Sequence, residues 1–437
     1  MKRTNKKGFT TVELVIVIAV IAILAAVLIP TFANLIRKAN ISADTQLAKN
    51  LNTALAMDTA ENGKPSGFGD VLDALYENGF VLANMNPTTD GCYFVWEEDE
   101  NQIMLVEIDG TEPKVLYSPK DAGEPDATWH VAVKNQRIAD TVEAALPNVT
   151  IEMTILNTTD LNNEINNEIN NGKTHYIDGS IVVDDNNTIK LNNPSVTTTI
   201  DLGSNKVTGG SNDTSAEAFP FYVTAGTLNL KNGVISATGA LVDSDGEAFS
   251  SASAVWSEGN SELNIEGTKL DIQTNSTYTI VYGDGAKGTM KDVVINTPSS
   301  SSVIYTSGDS TGSVRSELRL ENCTLNAKSN GICATYGGQV TIDGGTYHTS
   351  TSNLFWIYNY NASITVKDGI FTCGNAAKTF KFYNFTGSKI VLEGGTFNGI
   401  AFENLTESAI RGMCDLTNCA KDVNVVKTAD AWTITVK

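Results

Sequence analysis

Leu228-Asn-Leu-Lys-Asn-Gly-Val-Ile235, Val340-Thr-Ile-Asp-Gly-Gly-Thr-Tyr347 and Ile390-Val-Leu-Glu-Gly-Gly-Thr-Phe397 are three renderings of one pattern. In each, two apolar residues spaced two apart are followed by a charged residue, a pair that tolerates positive φ, and a further apolar residue. Alternation at period two marks a strand with one buried face. Asn-Gly or Gly-Gly then lets the chain turn a corner that a Cβ would strain. Stacked on the second apolar position, the pattern recurs at Leu202, Leu230, Ile265, Met290, Leu320, Ile342, Val366 and Leu392, at separations of 22 to 35 residues. This irregular spacing excludes a propeller or a leucine-rich repeat. It suits coils of a parallel β-helix joined by variable loops, because lengthening a loop costs little closure entropy. The next inward column, Ile235, Leu270, Ile295, Leu325, Tyr347, Phe371 and Phe397, completes an apolar stack along the axis.

The residue after each anchor points outward and reads Lys231, Glu266, Lys291, Glu321, Asp343, Lys367 and Glu393. With neighbouring coils about 4.8 Å apart, these alternating signs predict an ion ladder and no catalytic cluster. A second strand precedes each anchor, with Phe221, Val255, Val281, Ile304, Cys333, Ile357 and Phe382 as its inward column. The adjacent column then faces out and contains Tyr222, Trp256, Tyr282, Tyr305, Ala334, Tyr358 and Tyr383. Aromatic rings in line form a candidate recognition stripe for sugar rings or a protein partner. The polar run Asn162 to Asn171 predicts a helical cap on the first coil, and Trp432 to Val436 a closing strand, since a bare terminal coil is an adhesive edge.

The other end of the chain follows different rules. Leu14 to Ile36 is 23 residues without a charge, enough to span a bilayer as a helix. The short basic stretch Met1 to Gly8 ahead of it keeps that end cytoplasmic. No small-residue cleavage site follows the apolar run, so the segment stays in the mature protein. Glu13 stands at its start, and a carboxylate there requires a partner.

The residues Lys6-Lys-Gly-Phe-Thr-Thr-Val-Glu-Leu14, followed by the apolar run and Pro30, closely resemble the type IV prepilin signal. The resemblance covers about the first tenth of the chain. It implies cleavage between Gly8 and Phe9 by a prepilin peptidase, N-methylation of Phe9, and pairing of Glu13 with the terminal amine of a neighbouring pilin subunit. Such a buried ion pair fixes register more than it stabilises. Pro30 removes one helical hydrogen bond and is expected to kink the rod. The segment Thr199 to Thr208 resembles an early coil of pectate-lyase-like right-handed β-helix surface proteins.

Beyond the apolar run, Leu47, Leu51 and Leu55 continue the helix with one apolar face until Gly63-Lys-Pro65 stops it. A short helix over Asp70 to Glu77 and a hairpin from Cys92 to Trp96 and Ile103 to Ile108 are expected next. The expected architecture is mainly β with an N-terminal helix. Residues 1–8 form a cleaved leader and 9–62 a pilin helix, with about 14–36 in the membrane. Residues 63–150 form a small α+β domain, and 151–437 the β-helix with its cap at about 159–171.

Composition bounds the chemistry. The net charge of −20, about −24 once the leader cations are removed, opposes nucleic acid as a partner. Three histidines (His130, His175, His348) sit in unrelated contexts, and the acidic groups Asp184-Asp185 and Asp243, Asp245, Glu247 look isolated or loop-borne. No catalytic residue, metal site or cofactor is therefore assigned. Cys92, Cys323, Cys333 and Cys373 read as buried small hydrophobes, whereas Cys414 and Cys419 are close enough to form a disulfide in an oxidising compartment. The expected protein is a minor or tip subunit of a type IV pilus-like filament. It passes through the cytoplasmic membrane as a precursor and displays its solenoid outside the cell for adhesion to a glycan or host surface. The alternatives are a membrane-tethered solenoid that does not polymerise, and a polysaccharide lyase or hydrolase on a pilin-type anchor.

Overall fold

The structure is a computed structural model. It describes all residues except 1–10, 81–86, 109–112, 134–135, 156–157, 169–170, 178, 184–187, 210–218, 238–253, 273–277, 298–301, 310, 312, 375–378, 384–385, 399–405, 416–422, 428–431 and 437. The chain forms two compact units. One comprises Met1–Pro65, Met85–Ala132 and Asp140–Ile151, and the other Ser66–Asn84, Val133–Ala139 and Glu152–Lys437.

The first unit is built on helix α1, Thr11–Asn62, 52 residues long and containing Pro30. Its first half is uncharged from Leu14 to Ile36 and, Ala25 apart, exposed there, while Asp44, Ala48, Leu51, Ala54 and Leu55 are buried farther along. The helix carries the one described segment long and apolar enough to cross a membrane. A four-stranded antiparallel sheet packs on the second half, in the order Pro113–Tyr117, Gln102–Ile108, Cys92–Glu97, Trp129–Val133. Between helix and sheet, polar contacts recur about every two helical turns. Arg37 pairs with Glu107. The Asp44 carboxylate accepts from the Thr88 and Thr89 amides at 2.8 and 3.0 Å and from the Thr89 hydroxyl at 2.6 Å. Asn52 bonds both backbone groups of Ile103, donating at 2.6 Å and accepting at 2.9 Å. The Asn101 amide donates to the Thr59 hydroxyl at 3.0 Å.

The second unit is a three-sided parallel β-solenoid. Each coil contributes a strand with the anchor residue, a strand after the corner, and a strand on a separate nine-stranded sheet. Seven of the eight sequence anchors fall into one register, from Leu230 through Ile265, Met290, Leu320, Ile342 and Val366 to Leu392. The exception is at the start, where Leu230 pairs with Ile200, and Leu202 has already entered the turn. The column Ile235, Leu270, Ile295, Leu325, Tyr347, Phe371 and Phe397 is in register throughout and lies in the core. Tyr347 and Phe371 stack at 5.2 Å, and Phe371 and Phe397 at 4.7 Å.

The corner uses left-handed backbone at Asn232, Gly233, Gly267, Asp292, Asn322, Gly344 and Gly369. At Gly233 a Cβ would lie 2.4 Å from Leu202 Cβ and 2.7 Å from the Asn205 carbonyl, so only glycine closes that turn. The outward ion ladder forms with one rearrangement. Glu266 meets Lys231 at 4.0 Å and Lys291 at 2.6 Å. Asp343 aligns with Asp368 in place of Lys367 because the register shifts at that corner. Three acids therefore follow one another at Glu321, Asp343 and Asp368, and Arg319 bridges the first two, 2.7 Å from Asp343.

Both ends are covered. The helix Thr158–Ile165 and the residues after it lie along the edge strand Ile189–Leu191 and satisfy its backbone with asparagine side chains. Asn162 donates to the Thr188 carbonyl at 2.9 Å and accepts from the Lys190 amide at 2.7 Å. Asn166 repeats this one turn later, donating to the Lys190 carbonyl at 2.7 Å and accepting from the Asn192 amide at 2.9 Å. An i, i+4 pair on a helix rises about 6 Å, close to the two-residue repeat of a strand edge, so the side chains substitute for the missing coil. At the far end Trp432–Val436 pairs antiparallel with Lys389–Leu392. The helix Phe68–Glu77 packs with the first coils: Phe68 meets the Tyr176 ring at 5.4 Å and Asp73 accepts from the Ser204 amide at 2.6 Å. Its apolar face, Phe68, Val71, Leu72 and Leu75, is buried there, which separates it from the small domain expected over 63–150.

Candidate functional site

Three sets of residues carry the sequence-derived expectations: the N-terminal signal, the aromatic stripe and the titratable groups of the solenoid.

Gly8 and Phe9 lie outside the described residues. Glu13 lies in α1, near the start of its described part. Val12, Leu14, Val15, Ile16 and Val17 around it are all exposed. Pro30 sits inside an unbroken helix, and one residue later the Thr31 hydroxyl donates to the Val27 carbonyl at 2.9 Å.

The stripe requires correction. The column containing Phe221 and Val255 continues through Ile280, Ile304, Ile332, Phe355 and Phe380, not through Val281 and Cys333. Tyr282 therefore points inward and is fully buried, its hydroxyl donating to the Leu263 carbonyl at 2.8 Å. Burial pushes the Tyr282 phenol above its usual range. Ile280-Val-Tyr282 offers three apolar residues in a row, so alternation cannot fix its phase. A signal was present across the core, however. Gly288 occupies the inward position held by Leu318 in the next coil, and a Cβ there would come within 2.6 Å of the Tyr282 ring. The missing leucine makes room for the tyrosine.

The other five aromatics face outward and are half-buried, in two columns. Tyr222, Trp256 and Tyr305 share one with Trp356, while Tyr358 and Tyr383 share the next. Their ring faces are already engaged. Tyr358 stacks on Tyr383 at 5.0 Å with planes 13° apart, and Tyr278 covers Tyr305 at 4.0 Å. Lys190 lies 4.9 Å over Tyr222 and Lys381 lies 5.2 Å over Trp356. Glu258 collects the Tyr222 hydroxyl and, at 3.0 Å, the Trp256 indole N–H. The stripe presents edges and polar tips, a geometry suited to hydrogen bonding and poor for flat stacking on a sugar.

The titratable groups do not converge. The His130 ring lies tilted against Trp96 at 4.8 Å, with Nε2 3.5 Å from Glu98, at the small sheet. His175 is buried in the first coils, with Nδ1 3.0 Å from the Thr198 hydroxyl, and burial lowers its pKa to about 4. His348 faces outward on the solenoid. Cys92, Cys323, Cys333 and Cys373 are buried, and burial pushes the Cys92 and Cys323 thiols up to about 11. Cys419, Asp184, Asp185, Asp243, Asp245 and Glu247 lie outside the described residues, so the Cys414–Cys419 pairing does too. Among the described residues no group of three or more His, Cys, Asp or Glu side chains is placed to hold a metal.

Comparison with known proteins bears on the N-terminal region. Residues 3–29 match the prokaryotic N-terminal methylation motif. The chain is 34% identical over 94 residues to a fimbrial protein of Moraxella nonliquefaciens, covering 20% of this chain and 60% of that protein. It is 42% identical over 92 residues to the type IV major fimbrial protein FimA of Dichelobacter nodosus, covering 20% and 56%. It is 55% identical over 51 residues to the type IV wide pilus major component PilA4 of Thermus thermophilus, covering 12% and 37%. The chain thus spans at most three-fifths of the length of these relatives. No solved structure matches it. The chain begins with a prepilin-type signal and helix. It carries a type IV pilin N-terminus, and its larger part is a parallel β-solenoid.

Proposed function

We infer that the protein is a structural subunit of a type IV pilus-like surface filament, held in the membrane as a precursor and then packed with other pilin subunits. The observation that carries this reading is a helix without a charge from Leu14 to Ile36, its apolar side chains exposed around it, together with the methylation motif over residues 3–29. Such a surface needs lipid first and neighbouring helices afterwards. Prepilin peptidase would cut between Gly8 and Phe9, Phe9 would be N-methylated, and Glu13 would meet the amine of the adjacent subunit. The solenoid projects from the filament as a contact surface for adhesion. Its bulk beside a densely packed helical core favours a minor or tip position. The dispersal of its histidines and acids favours a binding role over catalysis.

The test is Glu13→Ala in cells that express the assembly machinery. Mature protein should begin at methylated Phe9 by mass spectrometry, while the sheared filament fraction loses the variant at least tenfold. The reading fails if the mature chain keeps Met1 to Gly8, or if Glu13→Ala enters filaments at the normal level.

A further inference from the structure

The strands that follow the corner carry one outward column of hydrogen-bonding side chains, running in register from Ser236 through Asp271, Asn296, Asn326 and His348 to Thr372. No rung is aliphatic or carries a phenyl, phenol or indole ring. Between Asp271 and His348 this column floors a groove whose wall is formed by Lys328, Ser350 and Thr351. The wall is fixed to the coil below. The Ser350 amide donates to the Ala327 carbonyl at 3.0 Å, and the amide and hydroxyl of Thr351 donate to the Lys328 carbonyl at 2.9 and 2.6 Å. On the floor, the Asn326 amide donates to the Asn296 side-chain oxygen at 3.0 Å. Among the described residues, the Asn296 amide group, the Asn326 oxygen, the His348 ring nitrogens and the Lys328 ammonium engage no protein partner.

We propose that this groove binds an extended, uncharged glycan lying along the solenoid axis. Amide and imidazole groups each offer a donor and an acceptor, the pairing that vicinal hydroxyls require. The rungs from Asp271 to His348 are three inter-coil steps of about 4.8 Å, roughly 14 Å in all, so about three pyranose units align with them. An anionic polymer is repelled by a chain of net charge −20. A peptide would seek an unpaired strand edge or an apolar pocket, whereas every strand of this floor is paired on both sides. The proposal rests on the reading that the solenoid faces outward from the cell.

The test is affinity electrophoresis of the detergent-solubilised full chain through native gels containing dextran, laminarin or galactomannan, with polygalacturonate as the anionic comparison. At least one neutral polymer should retard the protein and polygalacturonate should not. The double variant Asn326→Ala/His348→Ala alters exposed or half-exposed side chains. It should lose at least tenfold in apparent affinity at unchanged Tm, while Tyr383→Ala in the aromatic stripe retains it. Absence of retardation by all three neutral polymers overturns the proposal, as does preference for polygalacturonate, retention by the double variant, or loss through Tyr383→Ala. Filament incorporation of the double variant, measured in parallel, should stay normal, which separates failure of the groove from failure of the assembly reading.

Discussion

Gly288→Ala is the smallest change that probes how the solenoid accommodates its misplaced tyrosine. The added methyl would sit 1.9 Å from the Leu263 carbonyl oxygen and 2.6 Å from Tyr282 Cε1, against a normal carbon contact above about 3 Å. The nearer obstacle is backbone of the preceding coil, so relief requires the two coils to part by roughly 1 Å where they pair through Glu262–Lys287 and Ile265–Met290. Overpacking of this kind costs about 3 kcal/mol, the upper part of the usual range. For a unit of this size the Tm should fall by roughly 6 °C. Thermal unfolding followed by far-UV circular dichroism reads the change. Tyr282→Phe, which deletes only the 2.8 Å bond to Leu263, should cost about 1 kcal/mol. Tyr282→Ser supplies the residue that Ser257 places at this position in the preceding coil, and should cost 3 kcal/mol or more by leaving a cavity. Because the carbonyl remains in the way, neither change restores Gly288→Ala. The reasoning is refuted if Gly288→Ala unfolds at the normal temperature, or if Tyr282→Ser fully rescues it.

Two further outcomes follow from the ends of the solenoid. Asn162→Ala/Asn166→Ala removes four hydrogen bonds to the edge strand Ile189–Leu191 and the residues flanking it, so the Tm should drop and light scattering should reveal edge-to-edge association; a monomeric, equally stable variant would refute the cap. His175 is neutral when buried, with a folded pKa of about 4 below the usual 6.5, so its contribution is complete above pH 6.5 and lost as pH falls toward 4. The loss is on the order of 3 kcal/mol, and denaturation midpoints of His175→Phe should be less pH-dependent than the wild type across that interval.

Sequence pattern located the solenoid because its strands alternate strictly, and the columns at Leu230 and Ile235 needed no structure to align. The pattern failed where alternation failed. At Ile280-Val-Tyr282 only compensation across the core, through Gly288, decides which side chain turns inward. The same limit governs the stripe: outward placement was legible for five aromatics, but ring orientation depends on Lys190, Lys381 and Tyr278, which lie outside the aligned column. The groove at Asn296 and Asn326 gave no composition signal, since asparagine is frequent throughout and its significance comes from register. The prepilin signal was readable outright because it is one contiguous stretch of sequence, matched over residues 3–29.

The contacts that hold the sheet to α1 sit at Arg37, Asp44, Asn52 and Thr59, each about two turns from the next. A slide of one turn, 5.4 Å, would break all of them together, because every acceptor would face the wrong side chain. Tension along the helix is therefore shared by these bonds in parallel, as in a joint loaded in shear. In the filament proposed above, a pull along the helix would load the sheet on it as a whole, without peeling it off one contact at a time.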